Sequence, residues 1–150
     1  MMLDRELHVL LRKGFYYSNR AILQQILALG LFPGQPKILE FLLEKDGAMA
    51  KEIGEGCVID KSTIANLLVR MERQNLVYRK GHPSDKRASH IYLTEQGRAL
   101  AKQVKAICID VDTKAFRGIP PDEQQQFLHT LRFLYKGIII NHNKNRANLH

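Results

Sequence analysis

Residues 60–97 read DKSTIANLLVRMERQNLVYRKGHPSDKRASHIYLTEQG, and the periodicity changes twice along them. From Lys61 to about Gln74, the residues Ile64, Leu67, Leu68 and Met71 recur at i, i+3, i+4 and i+7, the stripe of a helix with one buried face. Lys61, Ser62, Asn66, Arg70 and Arg73 fall largely away from that stripe. Asp60 precedes the helix as an N-cap, with Thr63 rather than Glu three residues on, so no capping box is expected. Asn75 suits its end, because Asn tolerates the left-handed conformation. Leu76–Lys80 and Ser89–Leu93 then have strand character. Gly81–Ala88 between them is polar and turn-rich, the expected tip of a long hairpin. Thr94 caps a following helix with Glu95 in its first turn.

Outward from this stretch the chain is helical. Leu3, Leu7, Leu10 and Leu11, then Ile22, Leu23, Ile26 and Leu27, keep helical spacing from residue 3 to about 29, where Gly30 stops it. Pro33–Pro36 is a turn whose last proline suits a helix's first turn. Ile38, Leu39, Phe41, Leu42 and Leu43 form a short buried helix ending near Asp46-Gly47. Residues 48–55 read as a brief helix and 56–59 as the connection out of it. After Thr94, Leu100, Val104, Ile107, Val111 and Ala115 give one stripe. Beyond Pro120-Pro121, Phe127, Leu131, Leu134 and Ile138 give another, and 141–150 is a polar tail expected to fray. The expected fold is mainly α with a small β-hairpin wing. A short helix, a tight connection and an amphipathic helix make a helix-turn-helix, and the hairpin directly after it makes the wing.

Composition narrows the function. The 150 residues carry 23 Lys and Arg against 15 Asp and Glu, net +8, and residues 60–98 hold eight bases and four acids, half of that excess. A solvated face and a polyanion-binding surface both fit such a run, and here it coincides with the helix-turn-helix and wing. Apolar runs such as Ile138–Ile140 fall far short of the ~20 residues that span a bilayer. No signal peptide is read at the N-terminus, and two cysteines, Cys57 and Cys108, make no disulfide scaffold, so a cytoplasmic location is expected. The six histidines show no metal-ligand spacing, and there is no phosphate loop or G-x-S-x-G, so neither an enzyme nor a metal or cofactor site is expected.

Asp85-Lys86-Arg87-Ala88 followed by Ile91-Tyr92-Leu93-Thr94-Glu95-Gln96-Gly97 resembles the wing signature of the MarR family of bacterial transcription regulators, D-x-R-A and then L-T-x-x-G. Thr63–Glu72 with Asn75-Leu76-Val77 is similar to that family's recognition helix and exit, and Pro33-Gly34-Gln35 also fits. The resemblance runs over essentially the whole chain. Departures are His82 for the usual Asp, Asn66 for a commonly basic residue, Gly54 at an Ala-type position and Val58 where the turn usually has Gly. It implies a homodimeric repressor on a pseudo-palindromic operator in double-stranded DNA, relieved by a small aromatic or phenolic ligand. Residues 1–30 and 98–142 would be dimerisation helices, 33–97 the winged DNA-binding region, and 143–150 a polar tail.

Within that frame, Lys61, Arg70, Arg73 and Lys86 are phosphate candidates, with Ser62 and Thr63 adding hydroxyls at the helix start. Thr63 alternatively only stabilises that start. Asn66 is the candidate base reader, because its amide pairs bidentately with adenine, and Arg70 alternatively reaches a guanine. By resemblance, Arg87 enters the narrow minor groove from the wing; an ion pair with Asp85 that merely shapes the hairpin is the alternative. Leu3, Leu7, Leu10, Leu131, Leu134 and Ile138 are the dimer candidates. Phe15, Tyr16, Tyr17, Phe32 and Phe41 are candidates to line a ligand crevice, each also explained by core packing. Cys57 and Cys108 sit at apolar positions, not in the exposed, thiolate-favouring surroundings of the redox sensors found among such regulators. A winged-helix module that binds protein without nucleic acid is the alternative function.

Overall fold

The computed structural model describes residues 2–82 and 85–149, with side chains described for 4–81 and 89–149. Helix α1 (Leu7–Ile26) continues through a 3-10 turn to Gly30, which closes it in the left-handed conformation at φ 71°. Helix α2 (Gln35–Glu44) carries Pro36 in its first turn, where a missing N–H costs nothing. Strand β1 (Ala48–Met49), helix α3 (Ala50–Cys57) and helix α4 (Lys61–Arg73) follow. Strands β2 (Val77–His82) and β3 (Asp85–Leu93) form the wing, then come α5 (Glu95–Ala115) and α6 (Pro121–Ala147). The sheet is antiparallel in the order β1-β3-β2, pairing Ala48 with Ile91 and Val77 with Leu93.

Several boundaries differ from the sequence reading, each because tertiary pairing outweighs local pattern. Residues 48 and 49 are a strand, too short to show a period, and exist because β3 offers partners; Gly47 N–H also donates to the Ile91 carbonyl at 2.8 Å. Helix α3 runs on through Cys57, past the expected start of the connection. The wing strands reach 82 and begin again at 85, so ladder bonds claim most of the expected loop. Helix α6 holds to Ala147, through the segment expected to fray. On α5, Val104 is buried and Leu100, Ile107 and Val111 are half-buried, but Ala115 is exposed and Ala101 takes a core position.

The core joins α2 (Ile38, Leu39, Leu42), α3 (Ile53), α4 (Ile64, Leu68, Met71), the sheet (Ile91) and α5 (Val104). Burial of each such side chain is worth ~1.5–3 kcal/mol, which anchors α4 by its inner face and leaves the outer one free. The T-x-x-G piece closes the wing. Thr94 N–H donates to the Leu76 carbonyl (3.1 Å), and Thr94 Oγ1 donates to the Asn75 carbonyl (2.7 Å) and accepts from Gly97 N–H (2.9 Å). A Cβ at Gly97 would collide with the Leu76 carbonyl oxygen, so the close approach requires glycine. Asp46 completes the base by accepting from Leu93 N–H (2.9 Å) and pairing with Arg98.

The chain divides into two compact units, 1–111 and 112–150. In the second, Phe116 packs edge to face on Phe127 at 6.2 Å, and Gln124 Nε2 donates to the Ile119 carbonyl at 2.7 Å. No described residue of α6 is buried, and Phe127, Phe133 and Ile138 are exposed.

Candidate nucleic-acid interface

Helix α4 is started by Asp60. Its Oδ1 accepts from Thr63 N–H (2.9 Å) and the Ser62 hydroxyl (2.8 Å), and its Oδ2 accepts from the Thr63 hydroxyl (2.8 Å). These bonds, Thr63 N–H first, hold the carboxyl down at about 2. The Thr63 hydroxyl is therefore engaged in starting the helix, which is the structural one of its two sequence readings.

With Ile64, Leu67, Leu68 and Met71 turned inward, α4 exposes Ser62, Ala65, Asn66, Val69 and Arg73 at i, i+3, i+4, i+7 and i+11. Ser62, Asn66 and Arg73 were expected there, but Ala65 and Val69 were missed as apolar residues. Their helical row was the available signal: methyl groups at such positions meet the C5 methyl of thymine in a major groove. Arg70 lies apart from this row. Its guanidinium stacks over the Phe32 ring, 4.6 Å from the centroid, towards the turn before α2.

Around the start of α4 lies a concavity of about 1070 Å³ bordered by Lys51, Val58, Lys61, Ala65, Arg79 and Ser89. Three bases on one concave wall suit a phosphate chain. Arg79 also pairs with Glu72 at 2.5 Å, which ties β2 to α4, while Tyr78 stacks on Tyr92 with centroids 5.5 Å apart. Val58, at the turn between α3 and α4, is left-handed (φ 57°, ψ 49°) and 90% exposed. Its backbone does what the usual glycine would do, with a β-branched side chain. The backbone of Asp85, Lys86 and Arg87 runs in β3, but their side chains lie outside the described residues.

The five aromatic pocket candidates do not come together. A cavity of about 330 Å³ is lined by Phe15 with Ile22, Ile26, Pro33, Gly34 and Cys108. Tyr16 and Tyr17 are exposed and pack on each other at 5.1 Å, Phe32 lies under Arg70, and Phe41 lines a separate hollow with Cys57. Successive helix residues point ~100° apart, so Phe15, Tyr16 and Tyr17 do not share one pocket.

Among the dimer candidates, Leu7, Leu10 and Ile138 are exposed and Leu131 and Leu134 half-buried; Leu3's side chain lies outside the described residues. Cys57 is buried, its thiol donating to the Lys37 carbonyl at 3.4 Å, and burial pushes it up to about 11. Cys108 is half-buried, with its sulfur 3.8 Å from Glu40 Oε2. No group of metal-ligating side chains gathers among the described residues, and no helix there is long and apolar enough to cross a membrane.

A helix anchored on one side, exposed with polar and basic side chains on the other, and braced by a two-stranded wing within a three-stranded sheet defines a winged helix-turn-helix DNA-binding protein. The model of the MarR family matches residues 29–88. The chain is also 35% identical over 107 residues to the organic hydroperoxide resistance transcriptional regulator of Bacillus subtilis (strain 168), covering 69% of this chain and 70% of that one. The chain belongs to the MarR family of transcription regulators. Among solved structures, a MarR family transcriptional regulator from Silicibacter pomeroyi superposes with a TM-score of 0.82 at 29% identity, covering 91% of this chain and 92% of that one. CouR from Rhodococcus jostii RHA1, bound to p-coumaroyl-CoA, superposes with a TM-score of 0.76 at 25% identity, over 88% and 93%.

Proposed function

We propose that this chain is a homodimeric cytoplasmic repressor that binds a pseudo-palindromic operator and releases it when a small aromatic or phenolic ligand binds. It acts by binding alone, without catalysis. The observation that carries the reading is the exposed row Ser62, Ala65, Asn66, Val69 and Arg73 opposite a fully anchored helix face. Asn66 would read adenine, Arg73 and Lys61 would neutralise phosphates, and Arg87, oriented by Asp85 and flanked by Lys86, would enter the minor groove.

Two copies of α4 must reach grooves ~34–36 Å apart, which calls for a dimer. The exposed apolar residues of α1 and α6 supply surfaces for it, with residues 1–30 and 98–142 as the dimerisation segments and 33–97 as the DNA-binding region. The p-coumaroyl-CoA bound to CouR supports an aromatic effector, and the cavity beside Phe15 is apolar enough to take an aromatic ring.

Fluorescence anisotropy of the protein with its own upstream intergenic DNA and with scrambled duplex, over a salt series, tests the reading. Preference for a specific duplex, with affinity falling steeply with salt, is expected; Arg87→Ala should weaken it severely while leaving the protein folded. Equal, weak binding to all duplexes, here and in a random-pool selection, would sink it.

A further inference from the structure

Gln35 is completely buried at the start of α2, an uncommon place for an amide. Its Oε1 accepts from Phe32 N–H at 3.1 Å, and its Nε2 donates to Gln74 Oε1 at 2.7 Å. Gln74 is the residue that ends α4, its own N–H donating to the Arg70 carbonyl at 3.0 Å. Two further contacts leave the same short segment for the same helix. The Phe32 ring lies under the Arg70 guanidinium, and Gly34 sits so close to α4 that a Cβ there would come within 2.8 Å of Leu67 Cδ1. Leu67, Arg70 and Gln74 are spaced i, i+3 and i+7, one side of the helix.

We infer that residues 32–35 form a strap that sets the rotation and axial position of α4, with Gln35 as its positioning residue. An apolar stripe holds a helix to the core but tolerates small slides. A hydrogen bond from a buried amide has a fixed direction and does not, and leaving the buried Gln35 amide unpaired is costly. Recognition side chains have to be held within about 0.5 Å of their productive geometry, a tolerance that apolar packing alone does not guarantee. On its other side the strap is a wall: Pro33 and Gly34 line the 330 Å³ cavity beside Phe15 and Ile22.

The inference rests on the DNA-binding reading and deepens it. Gln74→Met keeps the chain length but removes the acceptor, whereas Gln74→Glu keeps an acceptor oxygen. Both are measured by anisotropy, well below their melting temperatures, on a duplex selected by the wild type from a random pool and on scrambled duplex. Gln74→Met is expected to lower the ratio of specific to non-specific affinity about five-fold or more, the worth of one net hydrogen bond, with the salt slope on scrambled duplex unchanged. Gln74→Glu should stay within about two-fold of wild type, since the acceptor is retained. An unchanged ratio in Gln74→Met overturns the strap, as does an equal loss on both duplexes that tracks a lower melting temperature. A wild type that selects no duplex at all would remove the DNA-binding reading itself, an outcome distinct from either.

Discussion

At Val58 the backbone takes a conformation that costs a β-branched residue ~1–2 kcal/mol, while the side chain is almost wholly in solvent and recovers nothing by packing. Val58→Gly relieves that strain but adds freedom to the unfolded chain, worth ~0.5–1 kcal/mol the other way. The balance favours the variant by ~0.5–1 kcal/mol, to be read as a higher denaturation midpoint. Gly97 is the opposite case: Gly97→Ala drives a methyl into the Leu76 carbonyl and should lower stability by ~2–3 kcal/mol, with the wing exit displaced. Asp60 gives a pH signature. Its folded value of about 2 lies below the usual ~4, so the cap contributes fully above pH ~4 and is lost as pH falls towards 2. Melting curves should show the gap between wild type and Asp60→Ala constant above pH ~5 and closing below pH ~4.

At the scale of elements, the roles proposed for α4 are two kinds of DNA contact that substitutions should resolve. Asn66→Ala should cost ~1–3 kcal/mol of discrimination at one base pair and leave the salt dependence alone. Arg73→Ala should weaken all duplexes alike and reduce the slope of log affinity against log salt by ~0.9. Competition anisotropy with single-base operator variants distinguishes the two; a uniform loss from Asn66→Ala would reassign it to the backbone. The wing depends on α4 through the Arg79–Glu72 pair and on the 46–48 segment through β1 and Asp46. The wing's base thus draws together the 46–48 segment, α4 and the hairpin itself.

For the molecule as a whole, Leu7, Leu10 and Phe15 of α1 and Phe127, Phe133 and Ile138 of α6 are large apolar side chains left exposed, and the proposed dimer would cover them. Sedimentation should give about twice the chain mass. Leu10→Glu with Ile138→Glu should give a folded monomer whose affinity for a full operator falls more than ~10-fold, because two half-sites no longer bind as one. A dimer unaffected by the pair would place the interface elsewhere.

Helix α4 was legible in residues 60–75 because its stripe, its Asp60 cap and its Asn75 stop are all local signals, each set by side-chain spacing or backbone preference over a few residues. Asn66, Ser62 and Arg73 were legible on the outer face for the same reason, and Val69 was within reach of the same wheel. The two-residue β1 was not, since a strand that short exists only through its partner. Nor was the stacking of Arg70 over Phe32, or the Gln35–Gln74 bond across 39 residues. Local sequence determined the helices, the two wing strands and which face of α4 is buried, through periodicity and capping. Only the tertiary structure decided where distant side chains meet, because such contacts depend on how the elements dock, and no short-range pattern records that.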